Sequence, residues 1–127
     1  MELTTITIAL ALLEYTVFTM LCGRARARCG IAAPATSGDP AFERYFRVQQ
    51  NSVEQLIIFI PAMLLFGHYA SAPIGAGLGL VFILGRALFA RGYYQDPPKR
   101  AIGFGLSLLS NLVLLLGGLI GAVVAYF

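Results

Sequence analysis

Four long apolar stretches, separated by short polar segments, dominate the pattern of residues along the chain. The first runs from Leu3 to Cys22 and contains one charged residue, Glu14. Because an α-helix rises about 1.5 Å per residue, this stretch reaches roughly 30 Å, the thickness of a bilayer's hydrocarbon core. We therefore predict a first membrane-spanning helix over residues 3–22. A cleaved signal peptide is the competing interpretation, but such peptides begin with positive charge, and the only early charge is on Glu2.

The second apolar stretch, Leu56–Ala70, is short for a membrane span, but the polar residues before it contain no helix breaker. The helix can therefore begin earlier, with Asp39 as its N-cap and Pro40 in its first turn. We predict a helix over residues 41–70 that protrudes from the membrane at its polar end and is kinked at Pro61.

The third apolar stretch ends in a cluster of arginines and tyrosines, which is typical of a membrane interface and predicts a helix over residues 74–94. A Pro-Pro pair after Asp96 breaks this helix. From Ala101 the chain is uncharged to Phe127 and is long enough for a fourth span over residues 101–126. We predict an all-α, integral membrane four-helix bundle in which residues 1–127 form a single transmembrane domain.

The composition agrees with a membrane protein. Apolar residues make up 58% of the chain and charged residues 12%, and the mean hydropathy is +0.79, so too few polar residues remain to cover a water-soluble domain. The two cysteines lack the spacing and companion ligands of a metal site, and they form no disulfide framework. We expect no bound metal.

The placement of the basic residues predicts the orientation in the membrane. All nine lysines and arginines lie around the first and third loops, and none lies in the second loop or at either terminus. By the positive-inside rule, loops 1 and 3 face the cytoplasm, in either a bacterial inner membrane or an endoplasmic reticulum membrane. The net charge of +3 is too small to indicate a nucleic-acid partner.

Orientation does not explain the polar residues of the second predicted helix. At 100° per residue, Arg47, Gln50, Asn51 and Glu54 fall within an arc of about 100° on one helix face. Such a stripe at the end of a span must meet water, another helix or a polar ligand. An internal ion pair between Arg47 and Glu54 is an alternative interpretation.

A second stripe lies on the third predicted helix, where Arg86, Phe89 and Tyr93 follow one another at i, i+3 and i+7. Arg100, at the start of the fourth helix, is expected across the same rim. An arginine beside aromatic residues can also be an ordinary side chain that reaches the membrane interface. Together the two stripes suit a small zwitterionic peptide with several carboxylates.

Glu14 is the one carboxylate in the middle of an apolar span, and ionisable residues at such positions are functional by default. One interpretation is a proton-coupled transport site. The other is a protonated or hydrogen-bonded contact between helices of an oligomer.

Two longer motifs carry a resemblance to a known family. They are FERYFRVQQNSVEQ at 42–55, preceded by the spacing P-x-x-x-G-x-P-x-F-E-R from Pro34, and RALFARGYYQDPPKRAIGF at 86–104. Over its whole length the chain resembles the membrane-associated proteins in eicosanoid and glutathione metabolism, and most of all their microsomal glutathione S-transferases. The resemblance implies a homotrimer of four-helix subunits that binds glutathione, as co-substrate, between neighbouring subunits near the cytosolic face.

The resemblance also implies the roles of individual residues. In the first loop and the second helix, five residues match positions that hold glutathione: Arg26, Arg47, Gln49, Asn51 and Glu54. On the third helix, Tyr93 matches a ligand-contacting tyrosine and Arg86 matches a basic residue beside it, so the resemblance implies that both bind glutathione. Arg100 matches the arginine that holds the thiolate, and Tyr93 is the next candidate for that catalytic role.

The implied function is a membrane-bound glutathione transferase that activates the glutathione thiol as a thiolate and conjugates it to lipophilic electrophiles, as in detoxification. Reduction of lipid hydroperoxides is an expected side activity. The alternatives are a non-enzymatic lipid-binding family member and a small proton-coupled transporter that uses Glu14. Gln55 and Phe89 stand where close relatives have tyrosines; Gln55 retains an amide donor, whereas Phe89 can only pack.

Overall fold

The computed structural model describes all of residues 1–127 and contains four long α-helices and no β-strand. The helices are α1 (Glu2–Cys29), α2 (Pro40–Tyr69), α3 (Ala72–Gln95) and α4 (Ala101–Tyr126), and a short 3-10 helix, Pro97–Arg100, precedes α4. All four are long and apolar enough to cross a membrane. The predicted all-α, four-helix architecture is confirmed.

The helix ends follow from local chemistry. The Asp39 side chain accepts hydrogen bonds from the backbone N–H groups of Ala41, at 2.8 Å, and Phe42, at 3.4 Å, and so caps α2. The first helix extends seven residues beyond the predicted span because the segment after Cys22 is rich in alanine and arginine, both good helix formers. It ends at Gly30, whose φ of 68° suits glycine.

The loops alternate between the two ends of the bundle. We call residues 30–39 loop 1, residues 70–71 loop 2 and residues 96–100 loop 3. The helices α1 and α4 both pack on α2 and α3. Nη1 of Arg44, at the start of α2, donates to the carbonyl oxygens of Tyr94, at 3.2 Å, and Gln95, at 3.1 Å, which ties loop 1 to loop 3. The two basic loops therefore share one end of the bundle.

Three apolar clusters form the core: a small one of Cys22, Ala25 and Phe42 beside loop 1, and two others along the bundle. The larger, here called the loop 2 cluster, contains a stacked pair of rings, Phe59 and Phe82, with centroids 4.0 Å apart. Its buried members are Ala11, Leu56, Phe59, Ala62, Met63, Phe66, Phe82 and Leu114. The smaller, here called the loop 3 cluster, consists of Phe18, Val48, Phe89 and Ala90. The two clusters lie one above the other along the helix axes, because each of α1, α2 and α3 contributes residues to both.

Glycines on α3 and α4 allow close packing inside the chain. A Cβ added at Gly75 would lie 3.0 Å from Phe66 Cδ1, one at Gly117 would lie 2.5 Å from Phe66 Cε2, and one at Gly121 would lie 2.5 Å from the Tyr69 carbonyl oxygen. These neighbours all belong to α2 of the same chain. These three glycines therefore explain how the helices of one protomer pack together, and they do not by themselves support an oligomer.

Candidate functional site

A cavity of about 740 Å³ opens at the loop 3 end of the bundle, between α2, α3 and the start of α4. The α2 stripe provides one wall, with Arg47, Gln50, Asn51 and Glu54. The opposite walls are formed by the end of α3, loop 3 and the start of α4, with Phe89, Tyr93, Pro98, Arg100, Ala101 and Phe104. Five of the residues predicted for the site line this one space: Arg47, Asn51, Glu54, Tyr93 and Arg100.

The two charged residues of the α2 stripe are exposed and do not pair with each other. The single ion pair within 4.0 Å joins the terminal amine of Met1 to Glu2, at the far end of the chain. The interpretation of Arg47 and Glu54 as an internal ion pair is therefore wrong. Both charges are free to bind a ligand in the cavity.

Arg100 places a second cation at the cavity. It occupies the N-cap position of α4, where unpaired backbone N–H groups add partial positive charge. Its Nη1 donates to the Pro97 carbonyl oxygen at 3.0 Å, and its Cζ lies 5.9 Å from the centre of the Tyr93 ring. The 3-10 turn of loop 3 therefore positions both the guanidinium and the helix end beside the tyrosine.

Arg26 and Gln49 do not line the cavity of their own chain. Nη1 of Arg26 donates to the carbonyl oxygen of Ala35 at 2.8 Å, and its guanidinium lies over the Phe42 ring, 4.7 Å from the centroid. Gln49 extends towards α1, where its Nε2 lies 3.5 Å from Thr19 Oγ1. These two predicted residues thus lie outside the space that the other five share.

Arg86 lies inside the bundle with only 1% of its surface exposed. Its Nε donates to Ser107 Oγ at 3.0 Å, its Nη1 donates to Asn51 Oδ1 at 2.6 Å, and its Cζ lies 4.2 Å from the centre of the Phe89 ring. The interpretation of Arg86 as an arginine that reaches the membrane interface is wrong, because four packed helices surround it. Its connection to the cavity runs through Asn51.

The side chain of Gln55 does not line the cavity. Its Oε1 accepts a hydrogen bond from Asn111 Nδ2 of α4 at 3.1 Å. The amide that stands where close relatives have a tyrosine therefore links α2 to α4. Phe89 lines the cavity with its ring, as expected of a residue that can only pack.

Sequence reasoning missed three lining residues, Pro98, Ala101 and Phe104, and the buried partner Ser107. A helical pattern could have identified Phe104, because it lies four residues after Arg100 and so on the same face. Nothing in the sequence distinguishes Ser107 from the other small polar residues of α4.

Comparison with known proteins assigns the chain to a family. The model of the MAPEG family matches residues 4–120, which is most of the chain. The chain belongs to the MAPEG family. The recognition made from the two motifs is thereby confirmed, and with four apolar helices this MAPEG protein is a multi-pass membrane protein.

Three relatives of this MAPEG protein cover most of its length. An uncharacterized protein of Synechocystis sp. is 48% identical over 112 residues, which cover 88% of this chain and 82% of the relative. Microsomal glutathione S-transferase 2 of Homo sapiens is 42% identical over 107 residues, covering 84% of this chain and 73% of the human protein. Leukotriene C4 synthase of Cavia porcellus is 32% identical over 98 residues, which cover 77% of this chain and 65% of the synthase.

Proposed function

We propose that this MAPEG protein is a membrane-bound glutathione transferase whose cavity binds glutathione at the loop 3 end of the bundle. The observation that carries the proposal is that two exposed arginines, Arg47 and Arg100, and the unpaired carboxylate of Glu54 line one cavity of about 740 Å³. Glutathione carries two carboxylates, one ammonium group and a thiol, so it needs both signs of charge in its site. The names of two relatives, a glutathione S-transferase and leukotriene C4 synthase, support the same chemistry.

Binding relies on the α2 stripe. The planar guanidinium of Arg47 can bind a carboxylate through two parallel hydrogen bonds, and Glu54 can accept from the ammonium group. The two residues are seven positions apart, or about 10.5 Å along the helix axis, which suits groups near opposite ends of an extended tripeptide. Asn51, between them, provides an amide.

Activation of the thiol is assigned to Arg100. A free thiol has a pKa of about 8.5, so only a few per cent is thiolate at neutral pH, and the thiolate is the nucleophile. Arginine stays charged at all relevant pH values and stabilises the thiolate without accepting its proton, which passes to water. The end of α4 adds to this positive field. Tyr93, beside Arg100, provides a hydroxyl that can donate to the same sulfur.

The reaction is nucleophilic attack by the thiolate on an electrophilic carbon of a lipophilic molecule. The sulfur electron pair forms the C–S bond, and either a leaving group departs with its bonding electrons or the adduct takes up a proton. We also propose reduction of lipid hydroperoxides, in which the thiolate attacks the terminal peroxide oxygen and the O–O bond breaks, giving glutathione sulfenic acid and an alkoxide that takes a proton from water. A second glutathione thiol then attacks the sulfenic sulfur and gives glutathione disulfide and water.

The homotrimer is part of the proposal. Arg26 and Gln49 lie outside their own cavity, so a neighbouring protomer is needed to bring them to a shared site. Co-expression of Arg26→Ala with Arg100→Ala protomers tests this arrangement, because mixed assemblies contain some sites without either substitution. We expect conjugation activity to reappear in the mixture although each variant alone has lost most of it. No recovery in mixed assemblies would contradict the shared site.

We further propose that residues 1–127 form one membrane domain with loops 1 and 3 in the cytoplasm, in a bacterial inner membrane or an endoplasmic reticulum membrane. Support comes from the shared position of the two basic loops at one end of the bundle. A Ser71→Cys label in loop 2, on a background with Cys22 and Cys29 replaced by alanine, should react only from the non-cytoplasmic side. Reaction from the cytoplasmic side alone would contradict this orientation.

The test of the enzymatic proposal is glutathione binding by calorimetry together with conjugation of a chromogenic aryl halide by the detergent-purified protein. We expect saturable binding and a conjugation rate that saturates with glutathione. A protein that binds lipid but not glutathione would instead be a non-enzymatic family member, and that result would overturn the proposal.

A further inference from the structure

Polar residues lie between the loop 2 cluster and the loop 3 cluster on each of α1, α2 and α3. Three of them are Glu14 on α1, Ser52 on α2, whose Oγ lies 3.5 Å from Arg86 Nη1, and Arg86 itself on α3. Ser107 on α4 joins them, because it accepts a hydrogen bond from Arg86. We call these four residues the polar layer.

Arg86 is the only cation of the polar layer and is almost completely buried. Besides its bonds to Ser107 and Asn51, its Nη1 lies 3.5 Å from Ser52 Oγ, whereas its Nη2 is buried without a hydrogen-bond partner. A buried, incompletely bonded cation is unfavourable for folding. An apolar side chain could fill the same space without this unfavourable contribution. A role in the site therefore accounts for Arg86 better than a role in core packing.

The bond from Arg86 fixes the orientation of the Asn51 amide. A guanidinium only donates hydrogen bonds, so the Asn51 atom at 2.6 Å from Nη1 must be the oxygen, Oδ1. Asn51 makes no other side-chain hydrogen bond within the chain, and it lines the cavity. Its Nδ2 group is therefore available as a donor on the cavity side.

We infer that Arg86 is a positioning residue: by holding Asn51 Oδ1, it turns the Asn51 Nδ2 group towards a carboxylate or carbonyl oxygen of the bound peptide, without touching the peptide itself. The inference rests on the proposed function, since it takes glutathione as the ligand. It gives Arg86 a different role from the direct binding that the family resemblance implies.

Glu14 is the acidic residue of the polar layer. It is half-buried on α1 and forms no ion pair with Arg86 within 4.0 Å. Because the guanidinium has no bonded counter-charge, an apolar side chain of similar length in its place should leave the fold at least as stable. The melting temperature therefore separates the contribution of Arg86 to folding from its contribution to binding.

The first experiment is a double-mutant cycle on glutathione affinity with Arg86→Met, Asn51→Ala and the double variant. We expect each single substitution to weaken binding about tenfold, which is typical of a lost charge-assisted hydrogen bond. Because Arg86 acts through Asn51, the double variant should bind no more weakly than Asn51→Ala. Additive losses, about a hundredfold in the double variant, would overturn the inference.

The second experiment is Asn51→Asp. This substitution keeps an oxygen for Arg86 but replaces the cavity-side donor with an acceptor, so binding should fall at least as far as in Asn51→Ala while the melting temperature is preserved. Unchanged affinity in Asn51→Asp would show that the amide does not donate to the ligand.

The control for folding is the melting temperature of Arg86→Met, with Glu14→Gln as a matched substitution in the same layer but outside the cavity. We expect Arg86→Met to keep the melting temperature of the unmodified protein while it loses affinity for glutathione, and Glu14→Gln to keep both. A fall in melting temperature that accompanies the loss of affinity in Arg86→Met would show that Arg86 affects binding only through stability. If the unmodified protein does not bind glutathione, the proposed function fails and the inference with it; if it binds and the cycle is additive, the inference alone fails.

Discussion

At the loop 2 end of the bundle, glycines bring α4 into direct contact with α2, whereas at the loop 3 end a cavity of about 740 Å³ lies between the same two helices. The contrast is clearest on α4. A Cβ at Gly118, near the loop 2 end, would lie 2.8 Å from Leu65 Cβ and 3.1 Å from the Phe66 backbone nitrogen. At the other end of the same helix, Ala101 and Phe104 line the cavity, and Gly103 between them packs closely against the backbone of α3 and not of α2.

The two ends also differ in their charged groups. At the loop 2 end, the terminal amine of Met1 pairs with the Glu2 carboxylate at 3.3 Å. At the loop 3 end, Arg47 and Glu54 are left unpaired beside the cavity. Unpaired charges contribute little to stability. Close helix packing at the loop 2 end therefore stabilises the fold, and the charged residues at the loop 3 end are arranged to bind a ligand.

The largest expected effect is on stability and comes from filling the close contact at the loop 2 end. Gly118→Val would force side-chain atoms against the backbone of α2, and we expect it to lower the free energy of unfolding by about 3 kcal/mol. Thermal melting in detergent measures the change. Gly77→Val is the matched control, since a Cβ at Gly77 meets no atom within 4 Å. Equal melting temperatures for the two variants would contradict the proposed contrast in packing.

The next effect is on catalysis at the loop 3 end. Arg100→Ala removes the cation assigned to the thiolate, so we expect kcat to fall about a hundredfold with little change in melting temperature. The deficit should shrink as the pH rises past about 8.5, because the thiol then ionises without help. Arg100→Lys should recover part of the rate, since it keeps the charge.

The matched control for Arg100 is Lys99→Ala. Lys99 is an exposed cation in the same turn, but it does not line the cavity, so its loss should leave kcat and its pH profile unchanged. A similar loss of rate in both variants would show that the general positive charge of loop 3, and not Arg100, is responsible.

A smaller effect is expected at the opposite wall of the cavity. Arg47→Ala removes an interaction that is present before and during the reaction, so the KM for glutathione should rise about tenfold while kcat changes little. Arg91→Ala, which replaces an exposed arginine of α3 outside the cavity, should leave both constants unchanged. A fall in kcat at unchanged KM in Arg47→Ala would contradict the division of roles between the two arginines.

The sequence was sufficient to predict the helices and the α2 wall of the site. Apolar stretches long enough to span a bilayer mark each helix, and a rotation of 100° per residue places Arg47, Asn51 and Glu54 on one face. The continuation of α1 to Cys29 was not predicted from hydropathy, because the apolar stretch ends at Cys22. Alanine and arginine, which have a high helix propensity, extend the helix beyond it.

The burial of Arg86 was not predictable from the pattern along α3. Its position on a stripe with Phe89 and Tyr93 is compatible with either an interface or a core, and the choice depends on how α3 is rotated against its neighbours. Its partners, Asn51 and Ser107, are 35 and 21 residues away in the chain. The same reason explains Gln55, whose contact with Asn111 joins residues 56 positions apart.

The most direct test of the central claim is the ultraviolet thiolate absorbance of bound glutathione at neutral pH, compared between the unmodified protein and Arg100→Ala, each at saturating glutathione. Our account predicts a clear thiolate signal in the unmodified protein and its loss in Arg100→Ala, although the variant still binds glutathione. An equal thiolate signal in both proteins would contradict the assignment of Arg100 as the activating group.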